Sequence, residues 1–378
     1  MNSPYEAREQ TEVKHEVLSR YLSAFVPIVG NWASDIIYID CLAGPWKSAD
    51  PNCSDTSFGR AVAILRSTRG VLKDRGKSPK MHCLFIERDP DAFRKLEDYC
   101  KSVQDLDVVA ENWAFTSHLD DIVRFARQGS KPFPFVFVDP KGWEAIQTGL
   151  IAPILQMFPG EVLITLMTSW ITRFISDESK GFERLLGPDL DRIQQLAGEE
   201  QEDEVVRCYA TSVRDVGRYE YVCTLPVMKA DQDAFHFYMI YGTRHPKGVD
   251  VFKKTEKYVV PFMHETRARA QERKRLQQTG QHGLFGADTQ YRERKFTRFR
   301  ERNLELARSR LQDLLTTSGH VKYDDAWAMA MQYSGVMETD LQDWMREWQS
   351  AKLLAFSDLG PRQKLPRREH RQYLIWRG

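Results

Sequence analysis

Residues 35–46, Asp35-Ile-Ile-Tyr-Ile-Asp-Cys-Leu-Ala-Gly-Pro-Trp46, decide the fold. An apolar run ends in a carboxylate, Asp40, and turns through Ala43-Gly44-Pro45. A parallel strand delivers its carboxyl end to a ligand in this way, because open α/β sheets bind at that edge. Two further runs close alike, Met81-His-Cys-Leu-Phe-Ile-Glu87 and Phe135-Val-Phe-Val-Asp139-Pro140. Three strands ending on acids predict one crevice with Asp40, Glu87 and Asp139 along its rim. Each acid alone reads as a helix cap or turn former, and Asp89 before Pro90 is expected to be such a cap.

The segments between these runs predict a doubly wound α/β fold. Val17, Leu18, Tyr21, Leu22 and Phe25 form a helical stripe, with Pro27 and Gly30 expected to end it. Helices are expected over 58–66 and from Pro90 to about Cys100, then a short strand at Val108-Val109 and a helix over 122–127. A helix carrying Leu150–Met157 and a strand over 161–167 complete a mostly parallel sheet. The runs 219–225 and 235–242 predict an antiparallel edge. Beyond the Gly-rich stretch 277–286, three helices near 302–316, 324–333 and 339–351 precede strands at 353–356 and 373–376. That succession predicts a C-terminal winged-helix-like α+β module. The expected division is a Rossmann-like domain over 1–262, a basic helix and linker over 263–298, and the module over 299–378.

Charge is unevenly spread. The chain of 378 residues has a net charge of +1, yet residues 264–310 hold 13 Lys/Arg against 6 Asp/Glu, and residues 361–378 hold 6 against 1. Basic segments on an acidic body suit an anionic polymer. Arg267, Arg273, Lys274 and Arg275 in the first segment, with Arg362, Lys364, Arg367 and Arg368 in the second, are the candidate nucleic-acid contacts. The last helix carries Asp340, Asp343 and Glu347, a poor face for phosphates, so the basic wing is expected to make any nucleic-acid contact there, with protein–protein docking of the module the equal alternative. Six cysteines without a CxxC pair give no zinc or iron–sulfur framework and suit a reduced, cytoplasmic setting. Neither a signal-peptide pattern nor a membrane-spanning apolar run is present. No H-E-x-x-H or triad spacing draws attention to the histidines, and His245 reads as a turn residue.

The absence of G-x-G-x-x-G and of GxxxxGK[ST] sets aside dinucleotide and P-loop sites. The turn D-x-L-A-G-P resembles the D-x-F-A-G motif of S-adenosylmethionine-dependent methyltransferases. Asp139-Pro140-Lys141-Gly142-Trp143 resembles the D-P-[PF]-[YG] element of enzymes that methylate amino groups of nucleic-acid bases. That resemblance implies S-adenosylmethionine as cofactor, held by Asp40, Ala43, Gly44, Pro45, Glu87 and Asn112. It implies Asp139, Pro140, Lys141 and Trp143 at the reacting amine, with Trp143 either stacking on the base or anchoring the next helix. The series Lys14-His15-Glu16, Tyr38–Pro45, Phe85–Asp89, Phe137–Pro140, Glu161–Ile164, Arg173 and Tyr238–Thr243 is also similar to the three-Cys-motif partner protein family of bacteria and archaea. This likeness implies a methyltransferase-like fold and a partner encoded by a neighbouring gene. The chain departs from the family pattern at Trp46, where glycine is usual, and at Lys141, which is expected to pair with Asp139 or meet a phosphate. Three readings follow: a base methyltransferase, a non-catalytic partner or scaffold on the same fold, and a nuclease or nucleotide-processing enzyme holding a metal on Asp40, Glu87 and Asp139.

Overall fold

The computed structural model describes residues 5, 6, 8–44, 48, 50, 52–177, 180–279 and 294–378. In chain order the body comprises α1 (Glu9–Gly30), β1 (Asp35–Asp40), α2 (Ser57–Asp74), β2 (Lys80–Ile86), α3 (Pro90–Ser102), β3 (Asp107–Glu111), α4 (Leu119–Ala126) and β4 (Pro132–Val138). It continues with α5 (Ala152–Leu155), β5 (Glu161–Leu166), α6 (Thr168–Phe174), α7 (Glu183–Leu186), α8 (Leu190–Gln194), α9 (Gly198–Gly217), β6 (Tyr221–Met228), β7 (Phe235–Thr243) and α10 (Pro246–Thr279). The strands form one sheet in the order β3-β2-β1-β4-β5-β7-β6. All neighbours from β3 to β5 are parallel, and β7 is antiparallel to both β5 and β6. This is the doubly wound, methyltransferase-type sheet expected from the acid-ended strands. The chain reverses direction across the sheet between β1 and β4, where such folds open a crevice.

Every residue of β1 and β5 is buried, as continuous apolar strands covered on both faces must be. Helix α1 packs against α2 and α10, while α4, α5 and α9 pack in series. Tyr21 of α1 stacks on Phe135 of β4 at 5.1 Å, and Tyr241 of β7 stacks on Phe252 of α10 at 4.8 Å. Helix α1 runs through Pro27, contrary to expectation. Proline in a last turn removes one N–H bond, and the buried Val26 and Val29 hold the extra residues.

Helix α10 is 34 residues long and runs through position 262 without a break. The C-terminal module follows with α11 (Arg294–Ser318), β8 (His320–Lys322), α12 (Tyr323–Met331), α13 (Glu338–Ser350), β9 (Leu354–Ser357) and β10 (Tyr373–Trp376). Its strands order as β8-β10-β9, all antiparallel, adding β8 to the winged-helix-like arrangement of three helices and a hairpin. Helix α11 also crosses the expected boundary at 298, because Phe299 packs on Phe235 at 5.2 Å and Lys295 bonds Glu202 at 2.5 Å. The acids of α13 are matched internally: Asp340 takes Arg300 at 2.8 Å, and Glu347 takes Arg308 at 2.5 Å. Among the described residues no helix is long and apolar enough to cross a membrane. The Gly-rich stretch lies largely outside the described residues.

Candidate functional site

A crevice of about 1210 Å³ opens at the carboxyl ends of the parallel strands. Gly44 after β1, Glu87 after β2, Trp113 and Phe115 after β3, and Asp139-Pro140 after β4 line it. Lys14 of α1, Met167 and Trp170 near α6, and His236-Phe237 opening β7 complete the wall. Because β7 runs antiparallel to β5, its first residues emerge on the same rim as the strand-end acids. Topology thus brings seven separate segments to one opening.

Asp40 is wholly buried and stands behind the wall rather than in it. Its carboxylate accepts from Ser57 Oγ at 2.6 Å and from the Leu42 amide at 3.2 Å, fixing the β1 turn against the start of α2. Burial pushes its carboxyl up to about 7, with the nearby Asp139 charge adding to the effect against those two hydrogen bonds. The native chain therefore holds a proton on Asp40 that the unfolded chain releases near the ordinary aspartate value. Native stability must fall as pH rises from about 4 through 7. Relative to an Asp40→Asn variant, the wild type is expected to lose up to about 4 kcal/mol over that window. Urea unfolding at pH 4 and pH 8 checks this, and a difference between the two proteins that ignores pH would refute it.

Glu87 is buried yet lines the crevice. Its Oε1 accepts from the Asp89 amide at 2.7 Å, which orients the carboxylate. Burial raises its acid, partly offset by backbone hydrogen bonds and the charge of Lys141. Asp89 caps α3 as expected, accepting from the amides of Asp91 and Ala92. Asn112 donates to the carbonyls of Glu87 at 2.8 Å and Arg88 at 3.1 Å, so its amide braces the β2 exit. Ala43 is buried, and neither Ala43 nor the exposed Asn112 lines the crevice. Trp113, which the sequence reading passed over, offers the aromatic surface beside it and stacks flat on His118 at 4.5 Å. Pro45 and Trp46 lie outside the described residues.

Asp139 forms its ion pair with Lys14 of α1, so of the two expectations for Lys141 the pairing with Asp139 is not met. Both partners are largely covered, with side chains 13% and 20% exposed, and Lys14 also lies 5.7 Å from the Phe237 ring centre. Lys141 is exposed at the crevice mouth. Trp143 is buried against Phe182 with ring centres 4.9 Å apart, and it also lines the crevice. His236 lines the wall opposite, its Nδ1 3.2 Å from Ser169 Oγ. Among the described residues no group of three or more His, Cys, Asp or Glu side chains could hold a metal ion. The strand-end acids are engaged separately instead, Asp40 by Ser57, Glu87 by a backbone amide and Asp139 by Lys14.

The basic candidates divide. Arg267 is buried, donating to the carbonyls of Lys229 and Gln232 at 2.8 Å each; its guanidinium closes the β6–β7 loop and cannot meet a phosphate as expected. Arg273 pairs with Glu9 and Lys274 with Asp231, while Arg275 is exposed. All three sit where α10 passes the start of α1, beside the crevice. On the wing, Arg362, Lys364 and Arg367 are exposed. Arg368 instead stacks on Trp327 at 3.7 Å and pairs with Asp250 at 3.1 Å, riveting the wing to the first turns of α10. Those turns follow the end of β7, at the opposite edge of the sheet. Twenty-three residues of α10 separate Asp250 from Arg273, which is about 34 Å of helix. Arg273 and Arg368, the latter paired with Asp250, therefore lie toward opposite ends of α10.

No family model matches the chain, and no curated protein matches it in sequence. Among solved structures it is similar to a protein from Legionella pneumophila (10% identity over 64% of this chain and 89% of that chain, TM-score 0.37). It is also similar to an O-methyltransferase from Bacillus cereus in complex with S-adenosylhomocysteine (14% identity, 60% and 80%, TM-score 0.30). A third is a dimethyladenosine transferase from Plasmodium falciparum (9% identity, 89% and 96%, TM-score 0.25). The fold assignment rests on the strand order, not on these likenesses.

Proposed function

We propose that the chain is an S-adenosylmethionine-dependent methyltransferase acting on an amino group of a nucleic-acid base. The observation that carries this reading is the meeting of Glu87 and Asp139-Pro140 in one crevice at the β1/β4 reversal. The donor set fits the cofactor. Glu87, oriented by the Asp89 amide, suits a ribose diol; Trp113 and Phe115 suit an adenine face; the Leu42–Gly44 turn suits the amino-acid end. S-adenosylmethionine supplies an electrophilic methyl group when bound. Asp139 would accept a hydrogen bond from the amine and aim its lone pair at the methyl group, with the Pro140 carbonyl as a second acceptor. Lys14 holds the Asp139 carboxylate in register.

Positive charge at the end of α10 would hold the polymer beside the crevice, with Arg275 and Lys274 as its exposed members. The wing, at the other end, would serve only a polymer long enough to wrap the body. A protein partner, implied by the sequence resemblance alone, is a further proposal.

Transfer of labelled methyl from S-adenosylmethionine to DNA and RNA oligonucleotides tests the reading. Lys274→Ala/Arg275→Ala is expected to weaken oligonucleotide binding and flatten its log–log salt dependence by about 0.7–0.9 per lost contact. Cofactor binding without transfer to either polymer would overturn the acceptor and favour the non-catalytic partner. A chain that binds no cofactor would overturn the whole reading.

A further inference from the structure

His236, on the crevice wall, stands apart from the residues proposed above to hold cofactor and align the amine. His236 opens β7, Ser169 lies in the first turn of α6, and their side chains meet at 3.2 Å between Nδ1 and Oγ. His236 lines the same crevice as Asp139, Met167, Trp170 and Phe237. Lys14 ties the two walls together, paired with Asp139 and lying 5.7 Å from the Phe237 ring centre. Among the described residues nothing hydrogen-bonds Nε2 of His236.

Resting on the methyltransferase reading, we propose that His236 takes the proton released by the acceptor amine, with Ser169 as its positioning residue. The balance is direct. The S–CH3 bond breaks, its electron pair staying on sulfur to leave neutral S-adenosylhomocysteine. The N–CH3 bond forms from the nitrogen lone pair, and the cationic product nitrogen passes one proton to Nε2. Imidazolium then releases it to water. Asp139 is poorly suited to that task because Lys14 already neutralises it, so aligning the amine and accepting its proton fall to different side chains. A serine hydroxyl serves both states of the ring, since it donates to an unprotonated Nδ1 and accepts from a protonated one.

The surroundings keep the imidazole ready. Burial, then Lys229 beyond β6 and Lys14 of α1, hold its proton affinity below the ordinary histidine value, leaving it neutral at pH 7. A base in that state contributes about 10²–10⁴-fold to a proton transfer.

The test combines kinetics with titration of the full chain. His236→Gln is expected to lower methyl transfer to adenine- and cytosine-containing oligonucleotides at least hundredfold while S-adenosylhomocysteine binds as before. The acid limb of the wild-type pH profile should disappear in that variant. Imidazole NMR of the unliganded chain should show His236 titrating below pH 6.5, and Ser169→Ala should move that midpoint while Ser169→Thr restores it. Wild-type transfer rates in His236→Gln, or a Ser169→Ala midpoint identical to wild type, would overturn the proposal. Loss of S-adenosylhomocysteine binding in the wild type would instead overturn the cofactor reading on which it rests.

Discussion

Replacing Asp139 by Asn is expected to cut methyl transfer about a hundredfold or more while S-adenosylhomocysteine binds unchanged, because misaligned reactants lose that much rate without losing affinity. Asp139 follows β4, one strand across the reversal from β1, and faces the crevice beside Pro140. Its carboxylate is held by Lys14 from a helix 125 residues earlier in the chain. Asparagine keeps the size but removes the charge that fixes the Lys14 ammonium, and it presents an amide that can rotate a donor toward the amine. The cofactor's own contacts lie at Glu87, Trp113 and the Leu42–Gly44 turn, so binding should change by no more than about threefold, under 1 kcal/mol. Equal losses of binding and transfer would mean that Asp139 belongs to the cofactor site. A variant with full transfer would remove Asp139 from the chemistry altogether.

The second large effect concerns the joint between body and module. Glu256 of α10 is fully buried and pairs with Lys253, one turn earlier. It also accepts from Ser334 Oγ at 2.8 Å and from the Gly335 amide at 2.5 Å, while Lys253 donates to the Tyr333 carbonyl at 3.1 Å. One ion pair thereby satisfies the turn between α12 and α13. Glu256→Ala leaves the buried Lys253 ammonium without its counter-charge and the Ser334 and Gly335 donors without their acceptor, and breaking such a pair from one side costs about 3–5 kcal/mol. Urea unfolding should show that loss, together with early exposure of the module's tryptophans Trp327, Trp344 and Trp348. Replacing both partners by methionine should recover much of it, since the expense is the uncompensated charge rather than the missing bond. An alanine variant as stable as wild type would show that the joint is held by its apolar contacts alone.

Much of the fold was legible because it is written locally. Apolar runs ending on Asp40, Glu87 and Asp139 announced parallel strands, and the paired runs after residue 219 announced the antiparallel edge. Less of the site was legible, because its members meet only through the topology. Lys14 sits on a helix whose apolar stripe was plain, yet nothing near it in sequence points to Asp139. His236 precedes an ordinary strand pattern; only the antiparallel direction of β7 carries it to the rim. Trp113 would have been found by asking which aromatic follows β3 rather than which amide does. Arg267 was misread because a basic run looks solvent-facing, whereas a long helix crossing a hairpin loop turns one member inward to close the loop's carbonyls. The α10 boundary was missed for a related reason: a helix whose apolar face continues past residue 262 carries no break to read.

Calorimetric titration of the full chain with S-adenosylhomocysteine tests the central claim most directly. One site per chain is expected, with at least tenfold weaker binding in Glu87→Ala, about 1.4 kcal/mol. Absence of heat at high micromolar ligand, or binding that Glu87→Ala leaves untouched, would contradict it.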